Sequence, residues 1–341
     1  MSRDCRARPH AVLYVLCVQL QQEVSAWRPR VAGVVEVFHA RFTAHAYPMH
    51  VHDEWTLLIV DDGAVRYDLD RHRRGTPDGT VSLLPPQVPH NGSAATSHGF
   101  RKRVVYLDTT VLDERFIGAA VDGPDLADPL LRRRVGQLHR ALTSPGDEFE
   151  ADSRLALIGE RLRVLLQPRL LQPSREPAGG HTASRGGGTR HHGIARSLRE
   201  LLDERVVAGI TLPEAAGLIQ AHPAHLVRSF SAAFGIAPHQ YLIARRVALA
   251  RRLLLDGRPA AEVAVAAGFH DQSHFTRHFK RIVGTTPGRF GMLPPGWDGS
   301  DTISHRNSES IGPLCPAEDR RAPRSRFGME PVRDGRRPPG T

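Results

Sequence analysis

Residues 259–290, PAAEVAVAAGFHDQSHFTRHFKRIVGTTPGRF, restrict this chain more than any other stretch. A short alanine-rich apolar run stops at Gly268. Asp271 then precedes Phe275, Phe279, Ile282 and Val283, which recur at i, i+4, i+7 and i+8. That is the spacing of one buried helix face. Asp271 suits the N-cap, where a carboxylate accepts an orphan backbone N–H of the first turn. Two short helices joined by a tight turn with glycine describe a helix-turn-helix. The second helix exposes Gln272, Ser273, Thr276, Arg277 and Lys280. Gln and Arg can make bidentate contacts to adenine and guanine edges. The pattern also fits a helical hairpin with a merely solvated polar face.

A weaker copy lies upstream. Residues 212–219 are short and apolar, and Ala221-His222 makes the turn. Residues 223–234 then carry Leu226, Phe230 and Phe234 at i, i+4 and i+8. Pro223 fits the first helical position, where its missing N–H costs nothing. His222 is a poorer N-cap than Asp. The exposed face offers Ala224, Val227 and Arg228. Residues 238–256 read as one helix linking the two units, with Gly257 at its end. At 1.5 Å per residue it is ~27 Å long, near the ~34 Å between successive major-groove faces.

The string Gly-Phe-x-Asp-x-Ser-x-Phe-x-Arg-x-Phe-Lys from Gly268 to Lys280, with Gly-x-Thr-Pro-x-x-Phe from Gly284 to Phe290, resembles the DNA-binding domain of the AraC/XylS family of bacterial transcription regulators. The resemblance implies that Val227 and Arg228 in the first unit, and Gln272, Ser273, Thr276 and Arg277 in the second, face base edges. Lys280, Arg281 and linking-helix arginines such as Arg245 and Arg246 are expected at phosphates. Residues 193–291 hold 13 Lys/Arg against 7 Asp/Glu, an excess that favours a polyanionic partner.

Residues 31–108 read as β, in short runs rich in β-branched and aromatic residues separated by turns such as Asp61-Asp62-Gly63 and Thr76-Pro77-Asp78-Gly79. Within them, His50-Val51-His52 followed by Gly63 resembles the first motif of a cupin. The stretch from Gly79 through Pro85 to His90 resembles the second, with Gln87 where glycine is expected. In metal-binding cupins the matching positions to His50, His52 and His90 bind a metal together with a carboxylate. Here that position holds Thr56 or Leu57, and Glu54 falls too early. Three imidazoles can hold a divalent ion. The reading preferred from the sequence has no cofactor and no metal: His50, His52, Glu54 and His90 line or close a small-molecule pocket, or pack and hydrogen-bond there. Two amphipathic stripes follow, Leu131, Val135, Leu138, Leu142 and Leu155, Ile158, Leu162, Leu165. They predict a helical hairpin at about 128–143 and 152–167, serving the core or a homodimer.

The expected architecture is an α+β multidomain chain. A leader without structure (1–30) precedes a cupin-like β-barrel with a helical hairpin and dimerisation element (31–167). A flexible linker (168–192) leads to an all-α domain of two helix-turn-helix units joined by a long helix (193–291), and then a disordered tail (292–341). The chain of 341 residues carries a formal charge of +10, nearly all of it arginine; its only lysines are Lys102 and Lys280. Three cysteines, Cys5, Cys17 and Cys315, form no zinc or disulfide pattern. No run approaches the roughly 18 apolar residues of a membrane helix. Arginines before the apolar run at 11–20 loosely resemble a signal peptide, yet a cytoplasmic location fits a DNA-binding chain better. The function expected is effector-responsive transcription regulation. The partners are double-stranded DNA, a small-molecule effector, a second copy of the chain, and RNA polymerase if the regulator activates; no membrane is expected. The alternative is a metal-dependent cupin enzyme fused to a DNA-binding module.

Overall fold

In a computed structural model, the described residues are 22–70, 72–144, 146–170 and 188–291. The N-terminal part is β-rich. Its strands are β1 (Glu23–Trp27), β2 (Val34–Phe42), β3 (Ala46–His50), β4 (Trp55–Gly63), β5 (Val65–Leu69), β6 (His72–Gly75), β7 (Val81–Leu84), β8 (His90–Ala94), β9 (Phe100–Leu107) and β10 (Asp125–Leu126). They form a six-stranded sheet, β1-β2-β9-β4-β7-β10, and a four-stranded sheet, β3-β8-β5-β6. Helices α1 (Ile117–Asp122), α2 (Pro129–Thr143) and α3 (Glu148–Leu170) follow. The C-terminal part is helical: α4 (Gly188–Glu204), α5 (Leu212–Ile219), α6 (Pro223–Phe234), α7 (Pro238–Leu255), α8 (Ala260–Ala266) and α9 (Gln272–Val283).

Side-chain alternation along the strands sorts the large sheet into two faces. Trp55, Leu57, Ile59, Val105 and Leu107 pack with Leu131, Val135, Leu138, Ile158 and Leu162 of α2 and α3. Their neighbours Phe38, Leu58, Val104 and Tyr106 face the other way. They join Phe275, Phe279, Ile282 and Val283 of α9 in one continuous apolar cluster. The sheet is thus covered by its own helical hairpin on one face and looks toward the C-terminal helices on the other. Each fully buried phenylalanine contributes about 1.5–3 kcal/mol by leaving water, so this second cluster is a strong tie.

Polar bonds reinforce it. Arg251 of α7 meets Glu36 of β2 at 2.5 Å. Arg28 meets Asp256 at 2.5 Å. Arg245 bridges Asp53 of the β3–β4 connection and Asp203 of α4, the latter at 2.9 Å. Arg199 of α4 donates to Gln87 at 2.9 Å, and Gln87 donates to Asp53. Gln87 has φ +61°, a left-handed backbone that costs a non-glycine residue roughly 1–2 kcal/mol. That conformation explains why glycine is expected there. The glutamine side chain instead links the β-rich part to α4.

Three boundaries differ from the sequence reading. The structureless leader expected over 1–30 does not hold at its end, because Glu23–Trp27 pairs along β2, with Glu23 opposite Arg41 and Trp27 opposite Val37; residues 1–21 lie outside the described residues. The second hairpin helix is longer, starting at Glu148 and running through Pro168 to Leu170. Its stripe uses Leu166 as the buried residue, with Leu165 only half-buried. The linker expected over 168–192 therefore overlaps α3 and the start of α4; its centre, and the tail from 292, lie outside the described residues. No described helix is long and apolar enough to cross a membrane.

Candidate functional site

The first candidate surface is the outward face of α9. Gly268, at φ +79°, makes the turn after α8, where a Cβ would stand 2.4 Å from the Val207 carbonyl oxygen. Asp271 caps α9 by accepting from the His274 N–H at 2.6 Å. Phe275, Phe279, Ile282 and Val283 are buried, which leaves Gln272, Ser273, Arg277 and Lys280 exposed and Thr276 half-exposed. In the upstream pair, Thr211 and Glu214 form a capping box on α5, and Gln220 takes the left-handed conformation at its end. His222 proves a working cap: its Nδ1 accepts from the Ala224 N–H at 3.2 Å. Ala224 and Arg228 stand exposed on α6 and Val227 half-exposed. Two arginines expected at phosphates are engaged elsewhere. Arg245 holds Asp53 and Asp203, and Arg246 donates to the Val206 carbonyl at 2.7 Å. Arg281 is exposed, as expected.

The second is a cavity of about 60 Å³ between the sheets. Phe38, Tyr47, Thr56, Leu58, Val104 and Tyr106 supply much of its wall, with His50, His52, His90 and Lys102. Arg251 from α7 and Ile282 and Val283 from α9 close it. Three of the four pocket residues expected from sequence are brought together. His50 and His90 are paired across β3 and β8, and the Nε2 atoms of His52 and His90 lie 3.1 Å apart. Glu54 is the exception. It does not line the cavity; its carboxylate accepts from the Asp53 N–H at 3.1 Å and faces Arg252 at 3.9 Å, because two residues along the chain it points away from the histidines.

Burial sets the electrostatics. It holds His50 and His52 well below the usual imidazole range and His90 down to about 4. It also pushes Lys102 down to about 7, with Arg251 adding repulsion. The Lys102 Nζ sits 4.0 Å from the centre of the Tyr47 ring. Burial raises the Glu36 carboxyl against the opposing pull of Arg251. The Arg251 guanidinium lies 4.6 Å from the Tyr106 ring centre. Neither Lys102 nor Arg251 is singled out as a pocket residue in the sequence reading. One signal was available for Lys102: it is one of two lysines in a chain that otherwise uses arginine. Arg251 carries a weaker one, as a charge lying between Val247, Ala250 and Leu254 on the helix that joins the two units.

Two family models match the chain. Residues 32–158 match an AraC-like ligand binding domain, and residues 216–291 match a helix-turn-helix domain. A probable transcriptional regulator, LumQ of Photobacterium leiognathi, is 39% identical over 62 residues; the match covers 18% of this chain and 25% of LumQ. The uncharacterized HTH-type regulator YbfI of Bacillus subtilis is 24% identical over 253 residues, covering 70% of this chain and 85% of YbfI. Among solved structures, fatty acid-bound ToxT of Vibrio cholerae aligns at TM-score 0.44 and 10% identity, over 78% of this chain and 92% of ToxT.

Proposed function

The chain belongs to the AraC/XylS family of transcription regulators, and from that premise we propose that it reads DNA through two helix-turn-helix units and senses a small effector through a cupin-like barrel. Helices α6 and α9 are its recognition helices, set in adjacent major grooves by α7. Val227 and Arg228 read through α6. Gln272, Ser273, Thr276 and Arg277 read through α9, with Lys280 on phosphate. Arg228 and Arg277 are the guanine readers, each worth about 1–3 kcal/mol of discrimination. The unit built on α9 reads more sequence, since α6 offers only Ala224 and Val227 beside its arginine. The enzyme alternative is set aside: this is a regulator.

The observation that carries the reading is the double duty of α9. Its outer face presents Gln272, Arg277 and Lys280, while its buried Ile282 and Val283 close the cavity that holds His50, His52, His90 and Lys102. A ligand that enlarges a 60 Å³ space must displace that wall. It therefore has different affinities for the docked and undocked arrangements, which is what a population shift requires. The exposed Phe149, Leu157 and Val164 of α3 support self-association through the helical hairpin.

Selection of bound sequences from a random DNA pool tests the reading. The expected product is two conserved elements on one face of the duplex, about one helical turn apart. Arg228→Ala should relax one element and Arg277→Ala the other. A product with a single element, or equal loss in both from either substitution, would overturn the two-reader arrangement.

A further inference from the structure

One side chain of the cavity is placed for chemistry that packing does not use. Strand alternation sends Lys102, Val104 and Tyr106 of β9 to different faces in turn, and Lys102 shares its face with Val104 and Tyr106 in the cavity wall. Lys102 is half-buried, so it is sheltered and still reachable. Among the described residues no carboxylate pairs with it, because the nearest acidic group of the cavity edge, Glu36, is taken by Arg251 at 2.5 Å. The imidazoles of His50, His52 and His90 are held neutral and supply no counter-ion. The neighbours of Nζ are rings instead, Tyr47 at 4.0 Å and Phe38 at 5.7 Å. The Tyr47 hydroxyl is buried too, and it has no hydrogen-bond partner among the described residues.

We propose that Lys102 is a carbonyl-capturing amine: the cavity takes a small aldehyde and holds it as a reversible imine on Lys102 Nζ. A lysine desolvated among rings and set beside another cation is the arrangement that makes its amine a nucleophile. Attraction of an ammonium to the Tyr47 ring acts the other way, and burial with Arg251 is the larger effect, bringing Lys102 to about 7. About half of it is then free amine at pH 7, against roughly one part in three thousand for an ordinary lysine. The Nζ lone pair attacks the carbonyl carbon, and the carbonyl oxygen ends with the proton the amine gives up. Loss of that hydroxyl as water forms the C=N bond, so nothing is oxidised or reduced. Burial keeps the Tyr47 hydroxyl protonated, a spare donor for the ligand's oxygen in the same wall. The space of about 60 Å³ has room for roughly four or five water-sized groups, which selects a short chain. A carboxylate gains less here, since Glu36 already neutralises Arg251. The adduct stands on the cavity alone; its service as the signal rests on the effector reading.

The chain carries its own control, since its only other lysine, Lys280, is exposed on α9. The full chain is treated with propanal and cyanoborohydride, which reduces an imine to a stable propyl-amine, and peptide mass mapping locates the product. Lys102 should label on the order of 10-fold or more faster than Lys280 at pH 7. The preference should narrow as pH rises toward 10 and vanish in urea, where the two amines are alike. Lys102→Arg should lose the product, and Lys280→Arg should keep it. If Lys102→Arg does not fold, the preference in the unmutated chain decides. Equal or faster labelling of Lys280, or a Lys102 preference that persists in urea, overturns the capture site. Affinity for the selected DNA is read in parallel with propanal and with 1-propanol. A change with propanal alone, lost in Lys102→Arg, supports the aldehyde as effector. An adduct on Lys102 with unchanged DNA affinity overturns that use of the site, and an equal response to 1-propanol without any adduct overturns the imine while the sensor reading stands.

Discussion

Replacing Arg251 by methionine removes the guanidinium that α7 sends to Glu36 and keeps an apolar stem of similar reach. The pair has side-chain exposures of 14% and 7%, so the carboxylate left behind stays largely out of water. Losing one partner of a buried pair costs about 3–5 kcal/mol. The electrostatic part has a ceiling, since Glu36 can escape by taking a proton. Starting from an ordinary value of 4.5, at about 1.36 kcal/mol per pH unit, that escape costs about 3.4 kcal/mol at pH 7 and about 0.7 kcal/mol at pH 5. The sign follows from the direction. Without Arg251, burial, aided by the charge of Glu54 and opposed only by Arg28, raises the Glu36 carboxyl further, so the folded state favours the protonated form. The penalty is thus full above the raised value and fades as pH falls toward the ordinary one. Urea denaturation of Arg251→Met, Glu36→Gln and the double variant at pH 7 and pH 5 measures it. The double variant should be more stable than Arg251→Met at pH 7 and nearly equal to it at pH 5. A loss in Arg251→Met that is the same at both pH values and is not relieved by Glu36→Gln would refute this account of the joint.

Three further outcomes follow from the geometry. Gly268→Ala should destabilise the C-terminal helices by more than about 2 kcal/mol, from the left-handed backbone and the Val207 carbonyl in the path of its Cβ; thermal melting measures it, and a shift within error would contradict the turn. Lys280→Ala should lower affinity evenly across DNA sequences and reduce the salt slope by about 1, while Arg277→Ala changes base preference; fluorescence anisotropy across salt concentrations separates the two. Gln87→Gly should relieve about 1 kcal/mol of backbone strain while freeing α4 from Arg199's bond to the β-rich part. Hydrogen exchange in α4 should rise even where the melting temperature does not fall.

The helical domain was legible because its signals are local. Asp271, Gly268 and the Phe275–Phe279 spacing lie within a dozen residues, and period and caps agree. The runs behind β2, β4, β5, β7 and β9 were readable for the same reason, whereas β3, β6, β8, β10 and β1 were not read as strands. EVSAW of β1 is short, and it joins β2 as an antiparallel neighbour through residues 28–33. The histidine cluster was visible through its motif spacing. What no spacing carried was the joint. Arg245 and Asp53 are 192 positions apart, and Arg251 and Glu36 are 215 apart. Each of those arginines reads as one more basic residue on a DNA-binding helix. Only docking decides that Arg245 faces an aspartate rather than a phosphate. Misplacing Glu54 has a smaller cause: a carboxylate two residues from His52 looks near in sequence, yet it accepts from the Asp53 N–H and does not line the cavity.

Gly284 ends α9 at φ +90°, and a Cβ there would stand 2.5 Å from the Phe42 ring. The same missing methyl therefore serves two tasks, stopping α9 and admitting Phe42 of β2 against its end. A lineage that substitutes this position loses both at once, so sensor and reader cannot drift apart here by small steps. Selection for effector-independent regulators should recover changes in Phe42, which can retreat from the contact, and few in Gly284, whose alteration harms the reader as well as the latch.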